Sequence, residues 1–291
     1  MNNAPIGVFD SGQGGLSVWS ELYRRLPHES LLYYGDGKNC PYGNQPRERI
    51  VEYSDYAVRR MLSAGVKMVV IACNTATAAA IDHLRTTYDV PFVGLEPAVK
   101  PAVLTSRSGV VGILATAASL KGRLFRETSR KYADRARMIE QVGEGFVELV
   151  ESDREDTPEA FETVSKLLGP MLEQGVDRIV LGCTHYPFLS GAMRRVIGDR
   201  DVRLVNPAPA IERRVEVLLE EFSLAAAEDH EPEYSFMTSA DEEYLSRLIA
   251  KSERAKTLDL DLRTSSDNGL PGQRNGRMQA WYSISLSKNI F

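Results

Sequence analysis

The sequence predicts an α/β fold of two similar doubly wound parallel-sheet domains, related by a pseudo-twofold axis, with a ligand site between them. Short β-branched apolar runs alternate with longer runs in which apolar residues recur at helical spacing, as in parallel sheets covered by helices. A repeat points the same way, because GVKMVVIACNT at residues 65–75 returns as GVDRIVLGCTH at residues 175–185. Cys73 and Cys183 occupy the same position in the two copies, just beyond a buried strand. The pattern therefore indicates two halves of similar build with matched thiols.

Composition and charge limit the classes of protein to which the chain can belong. With 43% apolar and 26% charged residues, it has the make-up of an ordinary globular protein. No apolar run approaches the length of a membrane span, and the first residues lack the pattern of a secretory signal, so we expect no membrane partner and a cytoplasmic location. A net charge of −5 gives no electrostatic reason to expect a nucleic-acid partner. The three cysteines are far apart in the sequence and are expected to be free thiols.

The first elements of the chain are a strand, a glycine-rich turn and a helix. An apolar run at residues 6–9 leads into DSGQGG at residues 10–15, after which apolar residues recur at helical spacing from Leu16 to Leu26. Unpaired amides and the helix dipole make such a turn attractive to anions. Its glycine spacing differs from the dinucleotide fingerprint, so we expect a small carboxylate or phosphate there and no nucleotide cofactor.

The rest of the first half continues this alternation. A strand at residues 31–34 is followed by a turn-rich loop at residues 39–44, which contains Cys40. Cys40 has no counterpart in the repeat, and we interpret it as an inert thiol. After a helix at residues 47–61 comes the first cysteine strand, and small residues beyond Cys73 predict a helix that begins beside this thiol. A further strand is predicted at residues 92–95.

The second half repeats the order of the first. A strand at residues 110–115 places Thr116 where Ser11 stands in the first half. Thr157 followed by Pro158 predicts the start of a helix before the second cysteine strand. The remaining predicted elements are a strand at 202–205, a helix at 209–222, a strand at 234–237 and a helix begun by a Ser239–Glu242 capping box.

These elements predict the domain bounds. Residues 1–97 together with residues 207–262 form a discontinuous first domain, and residues 98–206 form the second. Residues 263–291 form a C-terminal tail of uncertain order, and its polar, glycine-rich first part is expected to be loose.

Polar side chains gather at the predicted carboxyl ends of the strands, where parallel sheets bind ligands. If the two halves face each other, Cys73 and Cys183 flank one ligand from opposite sides. Two acid/base groups on opposite faces of one carbon suit inversion of its configuration, because a thiolate removes one proton while a thiol supplies another. The helix start at Cys73 and His185 beside Cys183 would each favour a thiolate. Asp10 and Glu151 are candidate proton relays.

Less specific interpretations remain open at this point. A single buried cysteine on a strand is usually part of the core, and His185 taken alone would often be a core histidine. A redox disulfide lacks the C-x-x-C spacing. Zinc would need a fourth ligand beyond Cys73, Cys183 and His185, and the sequence clusters none near them, so we predict no metal. The paired positions of the two cysteines, each followed by polar residues, favour catalysis.

Four ordered motifs resemble those of a known family. They are DSGQGG at residues 10–15, PYG at 41–43, CNTAT at 73–77 and GCTHYP at 182–187. Over roughly residues 5–250 the chain resembles the glutamate racemases of the aspartate/glutamate racemase superfamily. The resemblance implies a cofactor-independent, two-base interconversion of L- and D-glutamate that supplies D-glutamate for peptidoglycan. It also implies two α/β domains with the site between them, and a homodimer.

The resemblance also implies roles for individual residues. Cys73 is expected to act on the D-isomer and Cys183 on the L-isomer, while Asp10, Glu151 and His185 assist proton transfer. The residues expected to hold the amino and carboxylate groups of the substrate are Asp10, Ser11, Tyr42, Gly43, Asn74, Thr75, Thr184 and His185. The chain departs from the family pattern at Asn206-Pro207 and at Asn44-Gln45. Neither departure touches a catalytic position, so we expect effects on local packing or regulation only.

Two other functions remain open from the sequence. A racemase for aspartate or another amino acid would share these motifs, because the pocket walls that set substrate length carry no motif. A non-catalytic amino-acid or anion-binding module would use the glycine-rich turn and the strand ends only to hold a ligand.

Overall fold

The protein is an α/β structure with two parallel-sheet domains. The computed structural model describes residues 1–257 and 277–280, the last four by their backbone alone. The strands are β1 (Ile6–Asp10), β2 (Leu31–Gly35), β3 (Met68–Ile71), β4 (Phe92–Gly94), β5 (Val110–Ala115), β6 (Arg137–Val142), β7 (Arg178–Gly182), β8 (Arg203–Val205), β9 (Glu233–Thr238) and β10 (Arg277–Ala280). The helices are α1 (Leu16–Arg25), α2 (Arg47–Ser63), α3 (Asn74–Thr87), α4 (Val99–Thr105), α5 (Ala117–Lys121), α6 (Arg123–Tyr132), α7 (Phe146–Glu151), α8 (Pro158–Glu173), α9 (Ser190–Ile197), α10 (Ala208–Glu221) and α11 (Glu242–Lys256).

In each sheet, the first strand of that half of the chain, β1 or β5, lies between its second and third strands. The first sheet has the order β10-β9-β2-β1-β3-β4, and the second has the order β6-β5-β7-β8. All neighbouring strands are parallel. Parallel strands place their carboxyl ends at one edge of a sheet, so Asp10, Cys73, Thr116 and Cys183 all lie at such edges.

The apolar core lies on both faces of the sheets. Successive residues of β1 alternate between two clusters, with Val8 in one and Phe9 in the other. The larger cluster also contains Leu181 of β7, so apolar packing is continuous from the first sheet to the second. This arrangement fixes the two sheet edges relative to each other.

Most predicted elements are present at the expected positions. Cys73 is the N-terminal cap of α3, and the Thr157 hydroxyl accepts a hydrogen bond from the Ala160 amide at the start of α8. The predicted capping box at Ser239 is wrong. Asp241 caps α11 instead, accepting from the Tyr244 amide at 2.9 Å, because the Ser239 hydroxyl is engaged by the buried carboxylate of Asp36.

The predicted domain bounds, 1–97 with 207–262 and 98–206, stay a prediction. Of the predicted tail, residues 277–280 form β10 at the edge of the first sheet, while residues 263–276 and 281–291 lie outside the described residues. No helix of the described part of the chain is long and apolar enough to cross a membrane.

Candidate active site

A cavity of about 210 Å³ lies where the carboxyl ends of the two sheets face each other. The predicted site residues that line it are Ser11, Tyr42, Gly43, Cys73, Asn74, Thr75, Cys183, Thr184 and His185. Cys73 follows β3 of the first sheet and Cys183 follows β7 of the second, so one thiol reaches the cavity from each side. Asp10 and Glu151 do not line the cavity but contact residues that do.

The Cys73 thiol is buried at the start of a helix. Its Sγ accepts a hydrogen bond from the Ala76 amide at 3.4 Å and lies 3.6 Å from the Ser11 hydroxyl. Burial and the nearby Asp10 carboxylate raise the pKa of Cys73 to about 12, although the Ala76 amide and Ser11 oppose this. Removal from water therefore outweighs the helix terminus here, and Cys73 is a neutral thiol at neutral pH.

The Cys183 thiol has a different partner. Its Sγ lies 3.7 Å from Nδ1 of His185, whose Nε2 lies 2.6 Å from Oε1 of Glu151. Burial lowers the pKa of His185, but hydrogen bonds with Cys183, Cys40 and Glu151 raise it by more. The net pKa is therefore well above its ordinary value. Burial likewise opposes ionisation of Glu151, yet the contact with His185 brings its pKa down to about 2. An imidazolium–carboxylate pair thus lies beside Cys183.

Glu151 is fixed from three directions. Its Oε1 accepts from the Gln13 amide at 2.7 Å, and its Oε2 accepts from the Tyr244 hydroxyl at 2.9 Å. These partners come from the glycine-rich turn and from α11, so the carboxylate of α7 is held against His185 by elements distant in sequence.

Asp10 supports the cavity from behind. It is fully buried, and its carboxylate accepts from the Gly12 amide at 2.8 Å and from the Thr184 hydroxyl at 3.0 Å. Burial raises the pKa of Asp10, while His185 and both hydrogen bonds lower it by less. Asp10 therefore positions Thr184 and the turn across the interface of the two sheets.

Two glycines allow these groups to come together. A Cβ on Gly14 would lie 2.2 Å from Nδ1 of His185, and a Cβ on Gly12 would lie 2.1 Å from Oε1 of Glu151. Any side chain at either position would displace the histidine or the carboxylate. Gly12 and Gly14 of the DSGQGG motif are thus explained by close packing against Glu151 and His185.

Besides the His185 ring, the cavity offers mostly neutral polar groups to a ligand. Both side-chain amide atoms of Asn74 are buried without a hydrogen-bond partner, and the Thr75 and Thr116 hydroxyls lie 3.2 Å apart. Among the described residues that line the cavity, none is Lys or Arg, so a carboxylate would be held by amides and hydroxyls, with the His185 imidazolium as the one cation nearby.

Part of the cavity wall was not predicted from the sequence. Residues 142–145, Val147 and Glu148 line it, and they belong to the end of β6, to the loop after it and to α7. Strand β6 has no apolar alternation, and α7 is only six residues long. Cys40 was interpreted as inert from the sequence. Its Sγ lies within 4.8 Å of a carboxylate oxygen of Glu151 and of a ring nitrogen of His185. The contact brings together residues far apart in sequence, so no local pattern could indicate it.

Comparisons with known proteins agree on one family. Residues 17–214 match the family model described as Asp/Glu/Hydantoin racemase. The glutamate racemase of Deinococcus radiodurans is 44% identical over 247 residues, which cover 84% of this chain and 85% of that protein. A crystal structure of Escherichia coli glutamate racemase with L-glutamate and the activator UDP-MurNAc-ala has a TM-score of 0.77 and 30% identity, covering 87% of this chain and 95% of that one. The crystal structure of Francisella tularensis glutamate racemase with D-glutamate has a TM-score of 0.74 and 26% identity, and the match covers 88% of this chain and 94% of that one.

Proposed function

Because the chain belongs to the Asp/Glu/hydantoin racemase family, we propose that it interconverts L- and D-glutamate with two cysteine thiols and no cofactor. The observation that carries the proposal is the pair of thiols that line one cavity from opposite sheets. The relatives that cover most of the chain are glutamate racemases, and two solved relatives hold L-glutamate and D-glutamate.

The two thiols differ in a way that suits a two-base reaction. Cys183, beside the His185 cation, serves as the thiolate that removes the Cα proton of L-glutamate. The neutral Cys73 thiol then gives its proton to the opposite face of the carbanion. The electron pair on Cα forms the new C–H bond there, so the configuration is inverted. Cys73 is left as thiolate and Cys183 as thiol, the state from which D-glutamate reacts in reverse.

The surrounding residues have supporting roles in this proposal. Ser11, Asn74 and Thr75, together with Tyr42, Gly43 and Thr184, hold the amino and carboxylate groups of the substrate. Asp10 acts through Thr184, and Glu151 acts through His185, whose cationic ring it maintains. Asp10 and Glu151 are therefore positioning residues, since neither lines the cavity.

Isotope incorporation tests the reaction. The purified protein is incubated with L-glutamate in D₂O without pyridoxal phosphate, and we expect D-glutamate carrying deuterium at Cα by chiral chromatography and mass spectrometry. Cys73→Ala and Cys183→Ala should each abolish racemisation, while Cys40→Ser serves as a matched thiol control. Glutamate binding without exchange would support a binding module instead, and faster turnover of L-aspartate would support the other racemase.

The homodimer, the cytoplasmic location and the supply of D-glutamate for peptidoglycan belong to the same proposal. We expect sedimentation of a species of twice the 32.3 kDa chain mass. Loss of the protein from its host should make growth depend on supplied D-glutamate. A monomer in sedimentation, or growth without D-glutamate, would contradict the respective part.

A further inference from the structure

A cluster of three metal-ligating side chains lies beside the cavity. Cys40, Glu151 and His185 each offer one ligand atom, and these atoms all lie within 4.8 Å of one another. Cys40 does not line the cavity, and the proposed reaction assigns it no proton transfer. Gly12 makes the cluster possible, because a Cβ there would lie 2.1 Å from Oε1 of Glu151 and 2.9 Å from Sγ of Cys40.

We propose that Cys40, Glu151 and His185 form an inhibitory binding site for a borderline-soft divalent cation such as Zn²⁺. Thiolate, imidazole and carboxylate are all established zinc ligands, and three of them with one open position form a common four-coordinate site. With bonds of about 2.0–2.3 Å, tetrahedral ligand atoms lie about 3.3–3.6 Å apart. Nε2 of His185 and Oε1 of Glu151 start at 2.6 Å, so rotamer adjustments of about 1 Å would form the site.

The second shell of this cluster already orients its ligands. The Gln13 amide and the Tyr244 hydroxyl fix the Glu151 carboxylate, and such partners normally strengthen metal binding. A dication with one thiolate and one carboxylate is neutral overall, which lowers the cost of burying the charges. The neighbouring Asp10 carboxylate adds a further favourable interaction, while the Arg247 guanidinium is directed at the backbone oxygen of Glu151.

Metal binding would stop the reaction through His185. The ion would take the place of the proton that His185 shares with Glu151, and Cys40 would lose its proton to become the thiolate ligand. The His185 ring would keep its Nδ1 proton, but the metal would hold the ring away from its present position, so its contact with Sγ of Cys183, now 3.7 Å, would lengthen. Because Cys40 and Glu151 do not line the cavity, we expect a fall in kcat with a smaller change in KM. The inhibition rests on the proposed function, but the binding itself does not.

Cobalt absorption tests the site independently of turnover. The chain has three cysteines, so in Cys73→Ala/Cys183→Ala the only thiol is Cys40. We expect Co²⁺ to give a thiolate-to-cobalt charge-transfer band that Zn²⁺ removes, and Glu151→Gln to weaken binding at least tenfold. The matched triple variant with Cys40→Ser should show no band. Absence of the band in the folded double variant, checked by circular dichroism and repeated with serine replacements, would overturn the proposal.

Inhibition separates this site from metal binding by the catalytic thiols. We expect Zn²⁺ to inhibit racemisation by the unaltered protein reversibly, with recovery on adding a chelator. With each protein compared with its own metal-free turnover, Cys40→Ser should require at least tenfold more Zn²⁺ for the same fractional inhibition. Equal sensitivity of the two proteins would place the metal on Cys73 and Cys183 and would contradict the proposal. If racemisation itself is absent, the cobalt band still decides whether the site exists.

Discussion

Cys73 and Cys183 occupy equivalent positions in the sequence but have different surroundings. Cys73 caps a helix and faces Ser11, whereas Cys183 faces the His185–Glu151 pair. Burial raises the pKa of Cys73 to about 12, so the helix terminus alone does not ionise it. The resting protein thus holds an acid at Cys73 and a cation beside Cys183, which gives the two faces of a bound carbon different chemistry.

This difference predicts how Cys73 reacts with pH. In Cys40→Ser/Cys183→Ala, where Cys73 is the only thiol, the rate of iodoacetamide alkylation should rise ~tenfold per pH unit from about pH 7 to about pH 9, because only the thiolate reacts. Loss of Cys183 removes one small contribution to the raised pKa, but burial, the largest cause, remains. Mass spectrometry measures the rate. A rate that levels off within this range would contradict the raised pKa, and free cysteine, with a pKa of about 8.5, is the control.

At the residue scale, local spacing predicts only part of the site. Cys183 and His185 are two residues apart, so their contact follows from the motif. Asp10 and Thr184 lie 174 positions apart, and the packing of the two sheets brings them together. The resemblance pointed to Glu151, but its partners Gln13 and Tyr244 were not predicted, because side-chain contacts between domains leave no periodic pattern.

The glycine-rich turn is the element on which the site depends most directly. Gly14→Ala should lower kcat at least ~100-fold, because the new methyl group would lie 2.2 Å from Nδ1 of His185 and displace the ring. Gly191→Ala in α9 is the matched control, since a Cβ there has no atom within 4 Å and should raise stability by about 0.4–1 kcal/mol with turnover unchanged. Steady-state kinetics and urea unfolding measure both effects. Normal turnover by Gly14→Ala would refute the packing argument.

Helix α11 is attached to the loop after α7 by a buried ion cluster. Lys251 is fully buried, with Nζ 2.9 Å from Asp153 and 3.1 Å from Glu155. Lys251→Ala leaves the buried Glu155 carboxylate without its cation, so the free energy of unfolding should fall by about 3–5 kcal/mol. Arg254 contacts the same Asp153 from a side chain that is 55% exposed, and Arg254→Ala should cost less than about 1 kcal/mol. Similar losses for both variants in urea unfolding would contradict this ranking.

Sequence patterns predicted elements according to their burial. The strands β1, β3 and β7 are fully buried and mostly apolar and were expected, whereas β6 is a partly exposed edge strand that contains Glu140 and Gln141. The start of α11 was misplaced, because a distant carboxylate, Asp36, engages the serine that would otherwise have capped it. Local propensity is overridden where tertiary contacts compete for the same polar group.

At the scale of the whole molecule, the two sheets form one binding unit. Hydrogen bonds join them. The Ser17 hydroxyl donates to the backbone oxygen of Thr184 at 2.9 Å, the Thr184 hydroxyl donates to Asp10, and the Gln13 amide donates to Glu151. The large apolar cluster also extends through both. A ligand in the cavity therefore touches residues that are correctly placed only when both domains are folded against each other.

This coupling predicts how glutamate protects the protein. At about 100 times its Kd, an equilibrated mixture of the two enantiomers should raise the opening free energy by about 2.7 kcal/mol. Hydrogen exchange should show the same increase in the slowest amides of β1 and of β7, because opening either sheet abolishes the site. The side-chain amide of Asn74 is buried without a hydrogen-bond partner in the protein, so we expect it to bind glutamate. In Asn74→Ala, the protection by glutamate should therefore fall in both sheets together. Protection confined to β1 would mean that the ligand binds one domain alone and that the two sheets open independently.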